Sequence, residues 1–306
     1  MSEAAMRRGL ERLFNRRVSF DEPLSRHTSM RVGGPADALA EAWGEEELVG
    51  LLAVCRSSAS PLLVIGGGNN LIVRDGGFRG IAVKLGGRLA EARFEGLLAR
   101  AGGGAALGGL AAEAIRRGLA GLERLAGIPG TVGGAVRMNA GAFGAAIGDL
   151  TTWARLADAD GVRRVEGRDM GFGYRRCEAA ASGVVVEAGF VLGPSDPRRL
   201  AAEAEACAAR RDARLPKEPN AGCVFRNPGE GPAAGELIDR AGFRGAREGG
   251  AEVHPAHANV IVNRGGATAA DVLALMRRIA DRIREETGVS LEPEVVVVGE
   301  EAAAGA

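Results

Sequence analysis

The chain has 306 residues, enough for one large domain or for two domains with a sizeable core. Lysine plus arginine and aspartate plus glutamate each number 39, so no net charge directs the chain to nucleic acid or to an anionic membrane, and a small-molecule partner is favoured. The four cysteines form no CxxC pair and there are only three histidines, so neither a zinc site nor a disulfide framework is supported. The N-terminal segment is charged and no long apolar run follows, which predicts a cytoplasmic protein with no membrane partner.

The first third of the chain shows helical and extended patterns. Apolar residues at helical spacing predict an amphipathic helix over 6–14 and a second helix over 45–56. Between them, His27-Thr28-Ser29 precede an extended 30–32. These polar side chains fit either ligand binding or ordinary turn chemistry.

A predicted buried strand over 61–65 ends in Gly66-Gly67-Gly68-Asn69-Asn70. Such a run forms a nest of backbone amide groups suited to phosphate oxygens, and the asparagine side chains offer further donors. It matches neither the Walker A motif nor the GxGxxG fingerprint. Strands over 71–73 and 81–85 follow.

Residues 97–117 repeat the order strand, glycines, helix, but Leu107 stands where the third glycine of the dinucleotide fingerprint belongs, which disfavours a Rossmann fold. The glycine-rich stretch 127–144 comes next. Within it, Thr131 is the predicted N-cap of a short helix to Val136, whose amide groups would face a diphosphate. The alternative is a glycine loop that only lets two elements pack closely.

The middle of the chain has a β pattern, with strands predicted over 151–157, 162–165 and 183–192. Tyr174-Arg175 lies between them in a glycine-flanked loop. A guanidinium there is suited to a substrate carboxylate, although an ordinary surface arginine gives the same pattern.

A connecting helix is predicted over 197–214, with Asp196 as its N-cap. Beyond it, Cys223 follows a glycine and precedes an apolar pair; it is either a positioned acid or nucleophile or an inert core cysteine. The remaining pattern predicts a helix over 235–242, a strand over 258–263, a long helix capped by Thr268 and Asp271, a strand over 291–298 and a frayed tail.

Several of these stretches, in one order over nearly the whole chain, resemble the UDP-N-acetylenolpyruvoylglucosamine reductases, the MurB family. They are SRHTSMRVGGPAD, VIGGGNNLIVRDGGF, GIPGTVGGAVRMNAGAFG, GFGYR, NAGCVFRNP with AGELIDRAGFRG, GGAEVHPAHANVIVN and LEPEVVVVG. The short spacing from GFGYR to NAGCVF resembles the compact type II form of the family.

The resemblance implies an α+β fold, with a PCMH-type FAD-binding fold of two α+β subdomains followed by a C-terminal α+β substrate-binding domain. The expected boundaries are an FAD-binding region over 1–195 (subdomains roughly 1–86 and 87–195), a connecting helix over 196–214, a substrate-binding domain over 215–300 and a tail over 301–306.

The resemblance also implies an activity, the reduction of UDP-N-acetylglucosamine enolpyruvate to UDP-N-acetylmuramate for peptidoglycan synthesis. NADPH gives a hydride to non-covalently bound FAD, which passes it to C3 of the enolpyruvyl group, and C2 takes a proton. The partners are therefore the UDP-sugar and NADPH, and we expect a monomer.

Site residues follow by matching this sequence to the family's motifs. Arg175, Cys223 and Glu294 take the catalytic positions, and Glu294 is expected to act through its acid form. Tyr174, Arg226 and Asn227 take substrate positions. The cofactor positions are Gly66, Gly67, Gly68, Asn69, Asn70, Leu71, Pro129, Gly130, Thr131, Gly133, Gly134, Asn139, Ala140 and Gly141.

Cys223 departs from the family pattern, since many members carry serine as the proton donor there. A thiol with an ordinary pKa of about 8.5 is mostly protonated at neutral pH and is a far stronger acid than an alcohol, so the replacement should preserve the role. Two other functions stay open from sequence. One is an oxidase of small hydroxylated substrates on the same flavin-binding architecture; the other is a sugar-nucleotide-binding regulator without chemistry.

Overall fold

The computed structural model describes residues 3–302, which form two compact units. Unit 1 comprises the chain up to Phe20 together with 38–67 and 80–211, and unit 2 comprises 21–37, 68–79 and the chain from Asp212 onward. The segments 21–37 and 68–79, which the sequence placed in the FAD-binding region, thus group with the C-terminal part. Most of the predicted tail lies outside the described residues.

Apolar residues recur at helical spacing in three of the helices, as the sequence predicted: Glu3–Phe14, Glu45–Ser58 and Ala269–Thr287. The α-helices of the described residues are α1 (Glu3–Phe14), α2 (Glu45–Ser58), α3 (Leu107–Arg116), α4 (Val132–Arg137), α5 (Pro197–Asp212), α6 (Ala234–Arg240) and α7 (Ala269–Thr287).

The strands are short and many, with bounds as follows: β1 (Val18–Pro23), β2 (Pro35–Ala42), β3 (Leu62–Val64), β4 (Leu71–Val73), β5 (Phe78–Leu85), β6 (Ala92–Glu95), β7 (Leu98–Gly102), β8 (Leu119–Ala120), β9 (Gly141–Ala142), β10 (Ala145–Ala146), β11 (Thr151–Asp158), β12 (Gly161–Glu166), β13 (Phe172–Gly173), β14 (Arg176–Cys177), β15 (Val184–Val191), β16 (Gly193–Pro194), β17 (Asn220–Cys223), β18 (Arg247–Glu248), β19 (Ala251–Val253), β20 (Val260–Asn263) and β21 (Val296–Val298).

Unit 1 is built on two sheets. One has the strand order β1-β2-β5-β3, and the other is antiparallel with the order β12-β11-β15-β7-β6. Helices α3 and α4 contribute Leu107, Leu110 and Val136 to the core of the second sheet. The strand predicted over 61–65 is real, but the prediction that it is buried is wrong, because it is the edge strand of its sheet, next to β5, and Val64 is 41% exposed.

Unit 2 packs helices against an antiparallel sheet with the order β17-β20-β19-β18. The predicted capping box of α7 is confirmed, with the Thr268 side chain accepting from the Asp271 amide and the Asp271 carboxylate accepting from the Thr268 amide. The α7 face that the sequence predicted to be apolar is buried in the core of this unit. The sheet therefore presents its β17 edge, which carries Cys223, on a rigid support.

Two sequence-based expectations about extended segments are wrong. Residues 30–32 form no strand, because Arg31 has a φ of +58° and its amide closes a turn onto Thr28. The last strand is shorter than predicted and begins only at Val296, where it pairs in parallel with Leu71 of β4.

Candidate active site

The glycine run after β3 begins with accessible backbone. Within the residues that the structure describes, the amide N–H groups of Gly66 and Gly67 donate no hydrogen bond to the protein. Gly67 is exposed, and Gly66 is partly so. Adjacent unpaired amides at the surface of a sheet are the donors that phosphate oxygens bind. This part of unit 1 therefore has the chemistry expected of a diphosphate site.

The central glycine stretch begins α4 as predicted. Thr131 caps the helix, because its Oγ1 accepts from the Gly134 amide at 3.3 Å. The prediction that the free amides of this helix start face an anion is wrong. The Val132 and Gly133 amides donate to the main-chain oxygens of Ala105 and Gly103, at 2.8 Å each, and the Gly134 amide is taken by the cap.

The two glycine-rich loops of unit 1 touch each other at Gly66 and Thr131. A methyl group added at Gly66 would place its carbon 2.5 Å from Thr131 Oγ1, closer than any real contact. A side chain at Gly66 would therefore push the amide-bearing loop away from the start of α4. Bare backbone at this point, with unpaired amides beside it, fits the diphosphate of FAD.

The glycines at 102–104, which imitate a dinucleotide fingerprint in the sequence, serve packing. A methyl group at Gly103 or Gly104 would lie 1.9 Å or 2.1 Å from a main-chain oxygen, of Val185 and Leu85 respectively. The Gly103 carbonyl also holds the amide of Gly133. These glycines therefore do not form a Rossmann phosphate loop, in agreement with the sequence, where Leu107 replaces the third glycine of the fingerprint.

Four more residues of the central stretch were matched to cofactor positions, and most of them make main-chain hydrogen bonds within its turns: Pro129, Gly130, Ala140 and Gly141. Pro129 is exposed, and the Gly130 carbonyl accepts from the Leu107 amide at 3.0 Å. The Ala140 carbonyl accepts from the Ile147 amide at 2.9 Å, and Gly141 pairs with Ala146 between β9 and β10. Their main chain is thereby fixed while the side of the stretch around Pro129 stays accessible.

In unit 2 the run continues through Gly68, Asn69, Asn70 and Leu71. Gly68 has a φ of +66°, and a methyl group on it would lie 2.1 Å from the His27 carbonyl oxygen. The Asn70 side chain was expected to serve the cofactor, but its Nδ2 donates to the main-chain oxygen of Glu294 at 3.2 Å. Leu71 is 8% exposed and begins β4. The Asn70 side chain thus stabilises the main chain at Glu294.

The polar triplet before 30–32 also has a structural use. Thr28 Oγ1 donates to the Val32 oxygen at 3.0 Å. Ser29 Oγ donates to the main-chain oxygens of Gly68 at 3.1 Å and Asn220 at 2.6 Å. Of the two interpretations left open by the sequence, turn chemistry is therefore the one that these hydroxyl groups follow.

Asn139 joins the central stretch to the loop that carries Arg175. Its Oδ1 accepts from the Gly148 amide, and its Nδ2 donates to the Gly173 oxygen, both at 3.0 Å. Asn139 also has a φ of +41°, which asparagine tolerates better than most residues. The resemblance assigned Asn139 to the cofactor, which stays a prediction; in the structure its side-chain amide fixes the neighbouring hairpin.

That hairpin consists of β13 and β14 joined by a two-residue loop, Tyr174-Arg175, with Gly173 paired to Arg176. Arg175 has a φ of +55°, in the left-handed region that costs a residue with a Cβ free energy. The guanidinium carbon lies 5.2 Å from the centroid of the Tyr174 ring, which is 57% exposed. The loop thus presents a cation and a phenol on a constrained turn.

Unit 2 brings Cys223 and Glu294 onto neighbouring segments, although they are far apart in the sequence. Cys223 ends β17, opposite Val260, and is half-buried. Directly after it, the Val224 oxygen accepts from the Glu294 amide at 2.8 Å, and Phe225 is bridged to Pro293. A thiol and a carboxyl group therefore stand on paired main-chain segments.

The predicted substrate residues Arg226 and Asn227 follow on the same segment. The Arg226 Nε is buried without a hydrogen-bond partner among the described residues, and its Nη1 lies 3.8 Å from a Glu292 carboxylate oxygen. An arginine with an unused buried donor is a group that an anionic ligand could complete. The Asn227 Oδ1 accepts from the Ala234 amide at 3.1 Å, so that oxygen serves the start of α6.

Sequence reasoning missed Asn259, whose buried side-chain amide bonds the main chain of Phe225. Its signal in the sequence was weak, since one asparagine before a predicted strand normally marks a turn. Burial raises the pKa of the Cys55 thiol to about 11 and also raises the pKa of the Cys177 thiol, so both are poor nucleophiles.

The described residues offer neither a membrane-spanning helix nor a metal site. Within residues 3–302, no helix combines the length and apolar character needed to cross a membrane. In the same residues, no group of histidine, cysteine, aspartate and glutamate side chains is placed to hold a metal ion.

Comparisons with known proteins cover nearly the whole chain. Residues 215–298 match the family model described as UDP-N-acetylenolpyruvoylglucosamine reductase, C-terminal domain, and residues 36–166 match an FAD binding domain. The chain is 46% identical to the UDP-N-acetylenolpyruvoylglucosamine reductase of Geobacter sulfurreducens, over 92% of this chain and 94% of that protein. It is 42% identical to that of Rubrobacter xylanophilus, over 95% and 98%. The crystal structure of the Thermus caldophilus reductase aligns with a TM-score of 0.79 and 35% identity, covering 92% of this chain and 97% of that chain.

Proposed function

The chain belongs to the UDP-N-acetylenolpyruvoylglucosamine reductase family, and we propose that its Arg175, Cys223 and Glu294 carry the reduction of the enolpyruvyl group. Family membership confirms the α+β fold class and the FAD cofactor expected from the sequence. The chain is an FAD-dependent reductase that converts UDP-N-acetylglucosamine enolpyruvate to UDP-N-acetylmuramate with NADPH, a step in peptidoglycan precursor synthesis. When bound, FAD would supply the hydride chemistry that links NADPH to C3 of the enolpyruvyl group.

In unit 1, the amides of Gly66 and Gly67 would hold the cofactor's diphosphate. Thr131 supports this loop by contact with Gly66. Gly133 and Gly134 use their amides within the protein, so the central stretch would contribute a wall of close backbone instead of donors. The nest at the end of β3 is thus the stronger candidate for the phosphates.

Arg175 would bind the substrate carboxylate, where negative charge builds as hydride reaches C3. Its guanidinium offers a planar fork of donors that suits a carboxylate. The unfavourable φ of +55° supports this role, because backbone strain persists where the surroundings fix a residue for function. Such an arginine is worth most when it is held in place before the charge develops.

Cys223 would give its thiol proton to C2 of the substrate. The hydride forms the C3–H bond, the electron pair of the double bond moves to C2, and the thiol proton forms the C2–H bond. The thiolate that remains regains a proton from solvent. Glu294 would act beside it, through a hydrogen bond from its carboxyl group to the enol oxygen or the carboxylate.

The observation that carries this proposal is the main-chain pairing of Val224 with Glu294, at 2.8 Å. It places the two groups matched to the family's catalytic positions on adjacent segments of unit 2. The tests therefore separate the two half-reactions.

Stopped-flow absorbance of the flavin measures each half-reaction in turn. Cys223→Ala should leave flavin reduction by NADPH unchanged and slow its reoxidation by UDP-N-acetylglucosamine enolpyruvate. Cys223→Ser should retain measurable turnover, since a hydroxyl takes this position in many family members. Equal losses in both half-reactions would remove Cys223 from the donor role.

Glu294→Gln extends the same test. It keeps the size of the side chain and removes the acid, so reoxidation by substrate should slow while reduction by NADPH does not. Unchanged substrate turnover would exclude Glu294 from catalysis. The monomeric state and the cytoplasmic location stay predictions, which analytical ultracentrifugation and cell fractionation would check.

A further inference from the structure

The main chain between Cys223 and Asn227 is held from one side by a side chain. The Asn259 Nδ2 donates to the Phe225 oxygen at 2.8 Å, and the Asn259 Oδ1 accepts from the Phe225 amide at 3.0 Å. Asn259 is 3% exposed and Phe225 is 2% exposed. The amide of Asn259 thus bonds both polar groups of one buried residue, as a peptide group does in a sheet.

Asn259 replaces a main-chain partner that β20 does not supply. The strand begins at Val260, opposite Cys223, and the Asn259 carbonyl still accepts from the Val224 amide at 2.9 Å. Before that point the chain turns away, because the Val260 amide donates to the His257 oxygen at 3.0 Å. Among the described residues, only the Asn259 side chain therefore extends the pairing on this edge as far as Phe225.

The opposite edge of the same segment holds the residues next to Glu294. The Glu294 amide donates to the Val224 oxygen at 2.8 Å, and the Arg226 amide donates to the Glu292 oxygen at 2.9 Å. The segment 224–226 is therefore fixed between Asn259 on one edge and 292–294 on the other. A shift of Phe225 would move both the thiol before it and the carboxyl group paired beside it.

We propose that Asn259 is a positioning residue for the reduction of the enolpyruvyl group, holding Cys223 and Glu294 in register through the main chain of Phe225. The inference rests on the roles proposed above for these two residues. Asparagine suits the position because its primary amide offers a donor and an acceptor together, at the length that reaches one residue. Alanine offers neither, and it would leave both polar groups of Phe225 buried without partners.

The test compares Asn259→Ala with Asn263→Ala. Asn263 ends β20, the strand that Asn259 directly precedes, and its amide also bonds main chain, at the Met30 oxygen (3.1 Å) and the Gly265 amide (2.9 Å), away from the segment 223–226. Both variants are purified with bound flavin and studied by stopped flow. The half-reactions are reduction by NADPH and reoxidation by UDP-N-acetylglucosamine enolpyruvate.

Asn259→Ala should slow reoxidation by about 10- to 100-fold, the cost of misplacing a catalytic group by about 1 Å. Reduction should stay within about twofold of wild type, and Asn263→Ala should alter neither half-reaction selectively. The solvent deuterium isotope effect on reoxidation should rise in Asn259→Ala, because a displaced thiol makes proton transfer slower. Equal slowing of both half-reactions would overturn the inference.

A double variant tests whether Asn259 acts through the thiol. In a Cys223→Ala background, Asn259→Ala should add less than about threefold to the loss, since the group it positions is already gone. Full additivity would contradict the inference. If Cys223→Ala alone reoxidises at the wild-type rate, the proposed function fails; if it is slow while Asn259→Ala is fast, only the role of Asn259 fails.

Asn259→Ser covers the case in which the alanine variant does not hold flavin. Its hydroxyl keeps one polar group at the site. We therefore expect reoxidation by substrate to slow selectively, as in Asn259→Ala, but by a smaller factor. If neither variant folds with flavin bound, Asn259 serves the stability of unit 2, and the positioning role is overturned.

Discussion

Gly66→Ala is the most direct test of the nest proposed for the FAD diphosphate. The new methyl carbon would lie 2.5 Å from Thr131 Oγ1, 3.4 Å from its Cγ2 and 3.5 Å from its Cβ. Gly66 does not have a positive φ, so alanine adds no backbone strain of its own. The perturbation is therefore a steric one between the two glycine-rich loops of unit 1.

The free-energy cost of Gly66→Ala depends on whether the Thr131 side chain or the Gly66 loop moves to relieve the contact. Threonine is stiff at χ1, and its Oγ1 caps α4 by accepting from the Gly134 amide, so rotating it away costs about 1 kcal/mol of capping. Overpacking of this kind costs about 1–3 kcal/mol in total. If the loop moves instead, its unpaired amides move with it, and the dissociation constant of FAD should rise by about 5- to 150-fold for the same free energy.

Flavin titration of the apoprotein, followed by the quenching of flavin fluorescence, measures this change. Gly109→Ala is the matched control, because Gly109 lies exposed in α3 and its added methyl carbon would meet nothing closer than 3.8 Å. That control should stabilise the helix by about 0.5–1 kcal/mol and leave FAD affinity unchanged. The double variant Gly66→Ala/Thr131→Ala should recover part of the affinity, because it removes the colliding oxygen.

If Gly66→Ala lost stability yet bound FAD as tightly as the wild type, the nest proposed for the diphosphate would be wrong. The phosphates would then lie elsewhere, and the unpaired amides would be an ordinary surface turn. Equal weakening by Gly109→Ala would also contradict the proposed nest, since the methyl carbon added there would meet nothing closer than 3.8 Å.

Three further predictions concern other parts of the molecule. Asn139→Asp keeps the acceptor for the Gly148 amide but loses the donor to the Gly173 oxygen. The loss of about 1 kcal/mol should slow flavin reoxidation by substrate about 5-fold. A fall in flavin content instead would mean that Asn139 contacts the cofactor. Iodoacetamide at neutral pH should modify half-buried Cys223 before Cys55, whose raised pKa keeps it protonated, and peptide mass spectrometry checks the order; a faster Cys55 would contradict it. Burial lowers the pKa of the buried His257 imidazole. Its contribution to stability is therefore complete above the unfolded pKa of about 6.5 and is lost as pH falls through the lower folded pKa. Melting curves should show a smaller loss of Tm on acidification for His257→Gln than for wild type, and equal losses would contradict this.

Local sequence patterns determined the elements that local interactions form. The helix α7 was predicted with its apolar face, and its capping box was read from Thr268 and Asp271, because a helix needs only neighbours three and four residues away. Thr131 was predicted as an N-cap for the same reason. The order of motifs identified the family, and residue type alone marked Cys223 as a thiol where serine is usual.

Tertiary structure decided which groups are used and which are available. The first amides of α4 donate to the main-chain oxygens of Ala105 and Gly103, and the side-chain amide of Asn139 donates to the Gly173 oxygen. The pairing of Val224 with Glu294 and the clamp of Asn259 on Phe225 likewise join residues distant in the chain. A sequence gives the number of donors and acceptors at each residue, but every buried one must find a partner, and the partner is set by the path of the whole chain.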